Sequence, residues 1–254
     1  MYFHNNFQNG NFANRFMHRY FISIVLSILP AKFFAQHKTT HINMLWFNYN
    51  NAIEMNSKWG IVNDVQLRTR DWARQWSLCA IRSGVTYKLN NKFAFAAGFT
   101  WFGNVRYTGD TAVVANEWRP WQEATLQLHA GKGMLLQRLR AEERFLQKTS
   151  GSTKTGSFEK RLRLRYRIEY TLPPTGKKTE WHIGNEVMVN ANYINGSRFF
   201  DQNRLFALIN YKLSRVTSLQ FQFIKLLQWQ ASLNTLEDQN VFRFGVQQFF
   251  SFKK

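Results

Sequence analysis

One cysteine, Cys79, stands in 254 residues, so no intrachain disulfide can form. Acidic residues are scarce: 15 Asp and Glu against 34 Lys and Arg leave a formal charge of +19. No apolar run approaches the roughly 20 residues that a membrane-crossing helix needs, which excludes a helical membrane protein. Also missing are a Gly-x-Ser-x-Gly elbow, a metal-spaced His pair and a phosphate-binding loop, so no cofactor is expected. A chain this basic invites a nucleic-acid reading. Its Lys and Arg, however, alternate with apolar residues instead of clustering, so no exterior basic face emerges and no nucleic-acid partner is expected.

What is present is apolar and aromatic matter, 44% and 17% of residues, enough for a core or a lipid belt. At the amino end, Tyr20 to Leu29 forms a short apolar core behind Arg15, His18 and Arg19. Ala31-Lys32-Phe33-Phe34-Ala35-Gln36 follows. This basic, apolar, small-residue order is that of a secretory signal, with cleavage expected between Ala35 and Gln36. The division is therefore residues 1–35 as signal peptide and 36–254 as one domain. Met17 precedes the basic pair and is an alternative start. Removal of 1–35 takes away Arg15, Arg19 and Lys32 and no acid, leaving +16 on the mature chain.

From His41 onward, short alternating segments are separated by turn residues. The clearest is Arg161-Leu162-Arg163-Leu164-Arg165-Tyr166-Arg167-Ile168-Glu169-Tyr170. Successive side chains of a strand point to opposite faces, so one face is Arg, Arg, Arg, Arg, Glu and the other Leu, Leu, Tyr, Ile, Tyr. A helix would smear the charge around its circumference. The same alternation sets Asp64, Gln66, Arg68 and Arg70 against Val65 and Leu67, and Arg82 against Ile81 and Val85. It sets Glu123, Thr125, Gln127 and His129 against Ala124, Leu126 and Leu128. Arg138, Arg140, Glu142 and Arg144 share one side of their segment. His182 and Glu186 oppose Trp181 and Val187, Arg204 opposes Leu205, and Arg243 opposes Phe242 and Phe244.

A soluble sandwich also alternates. Three features favour an antiparallel up-and-down transmembrane β-barrel. The segments reach the ten or so residues that a tilted strand needs to cross a bilayer. Turns alternate short (Asn90-Asn91, Gly131-Lys132-Gly133, Ser214 to Thr217) with longer polar stretches near 104–116, 147–157, 191–201 and 230–239. Tryptophans gather near strand ends, at Trp59, Trp72, Trp76, Trp101, Trp118, Trp121, Trp181 and Trp229, as an aromatic girdle would require. Eleven segments can be counted, beginning near 41, 59, 76, 92, 117, 134, 158, 179, 200, 217 and 239. Bacterial single-chain barrels have even strand numbers, which points to ten or twelve within a range of 10–12.

The order of the Trp46 segment, the Arg68-Thr69-Arg70 strand end, the Arg138 to Arg144 strand, the Arg161 to Arg167 ladder and Gln202-Asn203-Arg204 resembles the outer-membrane family filed as domain of unknown function (DUF) 2490. The resemblance covers essentially the whole mature chain. It implies a barrel in the outer membrane of a Gram-negative cell, with the lipid and the barrel-assembly machinery as partners. It carries over no catalytic residues.

With the apolar faces toward lipid, Asp64, Arg68, Arg70, Arg82, Glu123, Arg138, Arg140, Glu142, Arg144, Arg161, Arg163, Arg165, Arg167, Glu169, Glu186, Arg204 and Arg243 line the lumen. A barrel this narrow is little wider than one that side chains fill. The first reading is an ion-paired structural interior, because arginine's planar fork suits several carboxylates at once. Arginines outnumber carboxylates, so the alternative is a narrow anion-preferring pore or a cavity for small anions, in which charge reversal at Arg163 and Arg165 would weaken selectivity. A lipid-modifying enzyme is the third reading, with His129 and His182 as candidate bases. A fourth is a scaffold binding partners through loops such as 191–201.

Overall fold

Alternation along each segment continues as pairing between segments. The computed structural model describes residues 39–109, 111–173, 176, 178–192, 199–230 and 235–252. The described residues form one closed sheet of eleven strands and no helix. The strands are β1 (Thr39–Glu54), β2 (Trp59–Arg70), β3 (Gln75–Lys88), β4 (Phe93–Thr108), β5 (Thr111–Ala130), β6 (Gly133–Ser150), β7 (Thr153–Thr171), β8 (Thr179–Asn190), β9 (Phe200–Lys212), β10 (Thr217–Gln230) and β11 (Thr235–Ser251). The barrel is one compact unit, Lys38–Lys254. The export signal assigned to residues 1–35 lies outside the described residues.

All eleven counted segments enter the wall, and the expected even number gives way to an odd one. The consequence is geometric. An up-and-down meander of eleven strands brings its first and last strands around pointing the same way. β1 therefore pairs with β11 in parallel, from Thr39↔Leu236 to Glu54↔Ser251, while the other neighbours pair antiparallel. The closure is reinforced from outside at one end. In the β2–β3 turn the Trp72 amide donates to Asn43 of β1 at 2.9 Å, and the Trp72 ring stacks on Phe242 of β11 at 5.5 Å.

Two of the expected long loops are not loops. The stretches near 104–116 and 147–157 stay paired nearly to their tips, Thr108 with Thr111 and Ser150 with Thr153, as continuations of β4–β5 and β6–β7. Polarity alone had suggested loops there. Hairpin hydrogen bonds need only backbone, so a polar strand pairs as well as an apolar one. Residues 193–198 and 231–234 of the other two stretches lie outside the described residues. The short turns are closed by side-chain oxygens: Asn90 Oδ1 accepts from the Lys92 and Phe93 amides, and Ser214 Oγ from Val216 and Thr217.

The two faces separate by chemistry. The outward face is apolar and bare, with Ile81, Leu139, Ile183 and Leu205 all more than half exposed. The interior is polar but carries an apolar strip of Ile42, Met44, Trp46, Phe206, Ile224, Leu226 and Val241. Trp59, Trp72, Trp76, Trp118 and Trp181 are exposed. Trp121 and Trp229 are buried, at 2% and 7% exposure, so neither belongs to a girdle. Trp121 shares the parity of Glu123, and its indole lies across Gly84 and Gly98, where a Cβ would come within about 2.6 Å of the ring. Small residues on β3 and β4 make the space that this large one on β5 fills.

Candidate functional site

The lumen holds a cavity of about 850 Å³. Of the sequence-predicted lumen residues, Asp64, Arg68, Arg70, Arg82, Arg138, Arg140, Arg144, Arg161, Arg163, Arg165, Arg167, Glu186, Arg204 and Arg243 line it. Glu123, Glu142 and Glu169 do not touch the cavity and instead bind the arginines that do.

Register explains the crowding. On β6 and β7, Arg138, Arg140, Glu142 and Arg144 stand opposite Arg167, Arg165, Arg163 and Arg161. One carboxylate among so many guanidinium groups becomes the hub. Glu142 accepts from Arg163 Nε at 2.9 Å, Arg165 Nη1 at 2.6 Å and Arg119 Nη1 at 3.2 Å, and its side chain is 2% exposed. Glu186 on β8 is the second hub, accepting from Arg138 at 2.6 Å and from Arg165 Nη2 at 2.8 and 2.9 Å. Glu117 binds Arg144 Nε at 2.6 Å and also holds Arg119. Glu123 binds Arg140 Nε at 2.6 Å, and Glu169 binds Arg167. Arg163 closes the lattice onto Asp201 of β9 at 3.0 Å. Arg165 by itself joins two carboxylates on two strands, holding them through a planar fork of fixed donors that a lysine ammonium lacks.

Arg163 and Arg165 are therefore framework. Reversing their charge would put new carboxylates beside Glu142 and Glu186, so such changes would strain the lattice as well as alter the charge of the lumen.

The opposite side of the lumen is different. Arg68 donates Nη2 to the Gln66 amide oxygen at 2.7 Å, Arg204 to Gln202 at 2.8 Å, and Arg243 to Gln220 at 3.2 Å. Each partner is neutral. Arg204 reaches Glu186 only at 3.7 Å. Trp46 sits between these groups, with the Arg68 guanidinium 3.8 Å and that of Arg204 5.4 Å from its ring centroid. Arg82 is held by Thr100 at 3.2 Å and by Asp64 at 3.7 Å, and Arg70 by Glu237 at 2.9 Å.

Sequence reading missed Glu117, Arg119, Asp201 and Glu237. Glu117 and Arg119 lie on the parity of Glu123, six and four residues upstream, and extending that strand past Pro120 would have found them. Glu237 follows likewise from Arg243. Asp201 could not be found by parity, because the pairing of β8 with β9 shifts register between Met188 and Val189.

Of the candidate bases, His129 is exposed on β5 and His182 is not arranged as a relay. His182 Nδ1 contacts both Glu169 at 2.9 Å and Thr171 Oγ1 at 3.0 Å. A nucleophile and an orienting carboxylate must occupy different ring nitrogens for proton transfer through the imidazole. Among the described residues no cluster of three or more His, Cys, Asp or Glu could hold a metal ion.

Comparison of the sequence with curated proteins gives no match. A family model described as a protein of unknown function, DUF2490, matches residues 43–238, from the inward-facing segment of β1 to the start of β11. The chain belongs to the DUF2490 family.

Proposed function

We propose that this protein is an exported outer-membrane barrel whose lumen binds small anionic solutes beside an ion-paired structural lattice. The continuous apolar exterior supports a lipid surrounding: a water-facing wall gains nothing from so many exposed Leu, Ile, Val and Phe side chains. Strands of 12 to 20 residues are long enough to cross, when tilted, a hydrocarbon layer about 30 Å thick. Such a barrel is inserted by the barrel-assembly machinery and has the outer-membrane lipid as its partner.

One observation carries the anion reading. Among the described residues, fourteen arginines line the cavity against six carboxylates, and the three carboxylates behind them bring the total to nine. Five positive charges remain uncompensated around one cavity. Mutual repulsion in low dielectric is relieved by a bound anion.

The test has two parts. Expressed in a Gram-negative host, the protein should fractionate with the outer membrane. Purified in neutral detergent, it should bind sulfate or phosphate by calorimetry, and in planar bilayers any conductance should favour anions. Recovery in the soluble fraction sinks the membrane reading. Absence of anion binding together with absent or cation-preferring conductance sinks the solute reading. The specific observation behind a purely structural interior is the saturated lattice around Glu142 and Glu186, and that reading would then stand alone.

A further inference from the structure

We infer that Arg68, Arg204 and Arg243, grouped around Trp46, form an oxyanion-binding site on the β1, β2, β9 and β11 side of the lumen. The inference rests on the anion reading above and deepens it by locating the site.

Register builds the group. Trp46 of β1 stands directly opposite Arg68 of β2 on one side and Arg243 of β11 on the other. All three side chains border the cavity, and the Arg204 guanidinium approaches the same indole from β9. The parallel seam is what puts Arg243 beside Trp46, because an antiparallel closure would reverse the β11 register. Four buried N–H groups here, Nε of each arginine and Nε1 of Trp46, have no acceptor among the described residues.

A repeated sequence device separates this side from the lattice. On the lattice side, arginine has a carboxylate two residues away: Glu117 with Arg119, Glu159 with Arg161, Glu169 with Arg167. At the same spacing Arg68 and Arg204 have glutamine. A glutamine oxygen holds a guanidinium in place without cancelling its charge. The outcome is a set of oriented, charged guanidinium groups whose Nε–H donors lack acceptors among the described residues. Water can accept from them but cannot neutralise them. The ligand that supplies both acceptors and charge is an oxyanion, either sulfate or phosphate or the carboxylate or phosphate head of a small soluble molecule. Bidentate recognition by the arginine fork suits such groups better than it suits chloride.

The decisive variant adds the missing charges from within. In the full-length protein in neutral detergent, the double variant Gln202→Glu with Gln220→Glu, at the glutamines that hold Arg204 and Arg243, should unfold at a higher temperature than wild type in sulfate-free buffer. Its sulfate affinity by calorimetry should fall at least tenfold. Arg68→Lys should keep part of the affinity, and Lys132→Gln, in the exposed β5–β6 turn away from the cavity, should keep all of it. Sodium chloride at equal ionic strength is the control. If wild type binds sulfate and the Gln-to-Glu double variant binds it equally well, or is less stable than wild type, the site is not here although the anion reading survives. If wild type binds neither sulfate nor phosphate, both fall. If only micelles doped with phosphatidylglycerol show binding, the occupant is a lipid headgroup and the soluble-solute site is overturned.

Discussion

Arg165 Nη1 donates to Glu142 Oε1 at 2.6 Å, while the same guanidinium grips Glu186 through Nη2 at 2.8 Å. Three side chains, on β6, β7 and β8, thereby tie three strands together inside the barrel. Glu142→Gln keeps the shape but leaves the fork of Arg165, and those of Arg163 and Arg119, without their shared charge. Breaking a buried pair from one side costs about 3–5 kcal/mol. Urea unfolding of the variant barrel in lipid vesicles should show a loss of that size, and a loss under about 1 kcal/mol would mean that the lattice is not structural.

A helical or soluble protein would tolerate charge on an exposed leucine. Leu139 is 55% exposed and lies mid-strand on the outward face of β6. In a lipid-embedded wall, Leu139→Arg should destabilise the barrel by about 2–4 kcal/mol. In water the same change should fall within about 0.5 kcal/mol of zero. Measuring both Leu139→Arg and the equivalent Ile183→Arg in vesicles therefore decides which solvent the outer face meets.

Trp121 lies over Gly84 and Gly98, but the two glycines differ in what a methyl group would strike. At Gly84 the nearest atoms belong to the Trp121 indole, at 2.6 Å, with the Ala97 carbonyl next at 2.9 Å. At Gly98 the backbone carbonyl of Ser83 is the nearest. Both Gly→Ala changes should cost in the range of about 1–3 kcal/mol expected of overpacking. In a Trp121→Leu background the cost of Gly84→Ala should fall in part and that of Gly98→Ala hardly at all, because the nearest obstacle at Gly98 is backbone and cannot move aside. Equal rescue in thermal melts would contradict this geometry.

The parallel seam has a chemical test. Phe47 and Phe244 are in register across β1 and β11, with their rings stacked at 6.1 Å. In a Cys79→Ser background, paired cysteines at 47 and 244 should form a disulfide under mild oxidation, visible as altered gel mobility. Cysteines at 47 and 250, six residues out of register, should not. Crosslinking of the second pair in place of the first would replace the parallel closure with another.

Much of this was legible beforehand for one reason: side chains of a strand alternate with a period of two whatever lies beside it. Arg161 to Glu169 announced an inward face without any knowledge of a neighbour. The number of segments was equally readable from the turn residues. Less readable were strand ends. β5 and β7 extend five or six residues further than expected, because a polar hairpin pairs through its backbone. Trp121 was misjudged because an indole near a strand end suits either a membrane interface or a space left by glycines on other strands.

The sequence by itself determined which residues share a face, that one face is apolar and the other rich in arginine, and that positive charge is in excess. These are local properties, set by covalent spacing. Tertiary structure alone decided that eleven strands close with a parallel seam, that Glu142 and Glu186 serve as hubs, and that Arg68 and Arg243 flank Trp46 with only glutamines to hold them. Those relations depend on register between strands far apart in the chain, and register is chosen by the closure of the whole sheet.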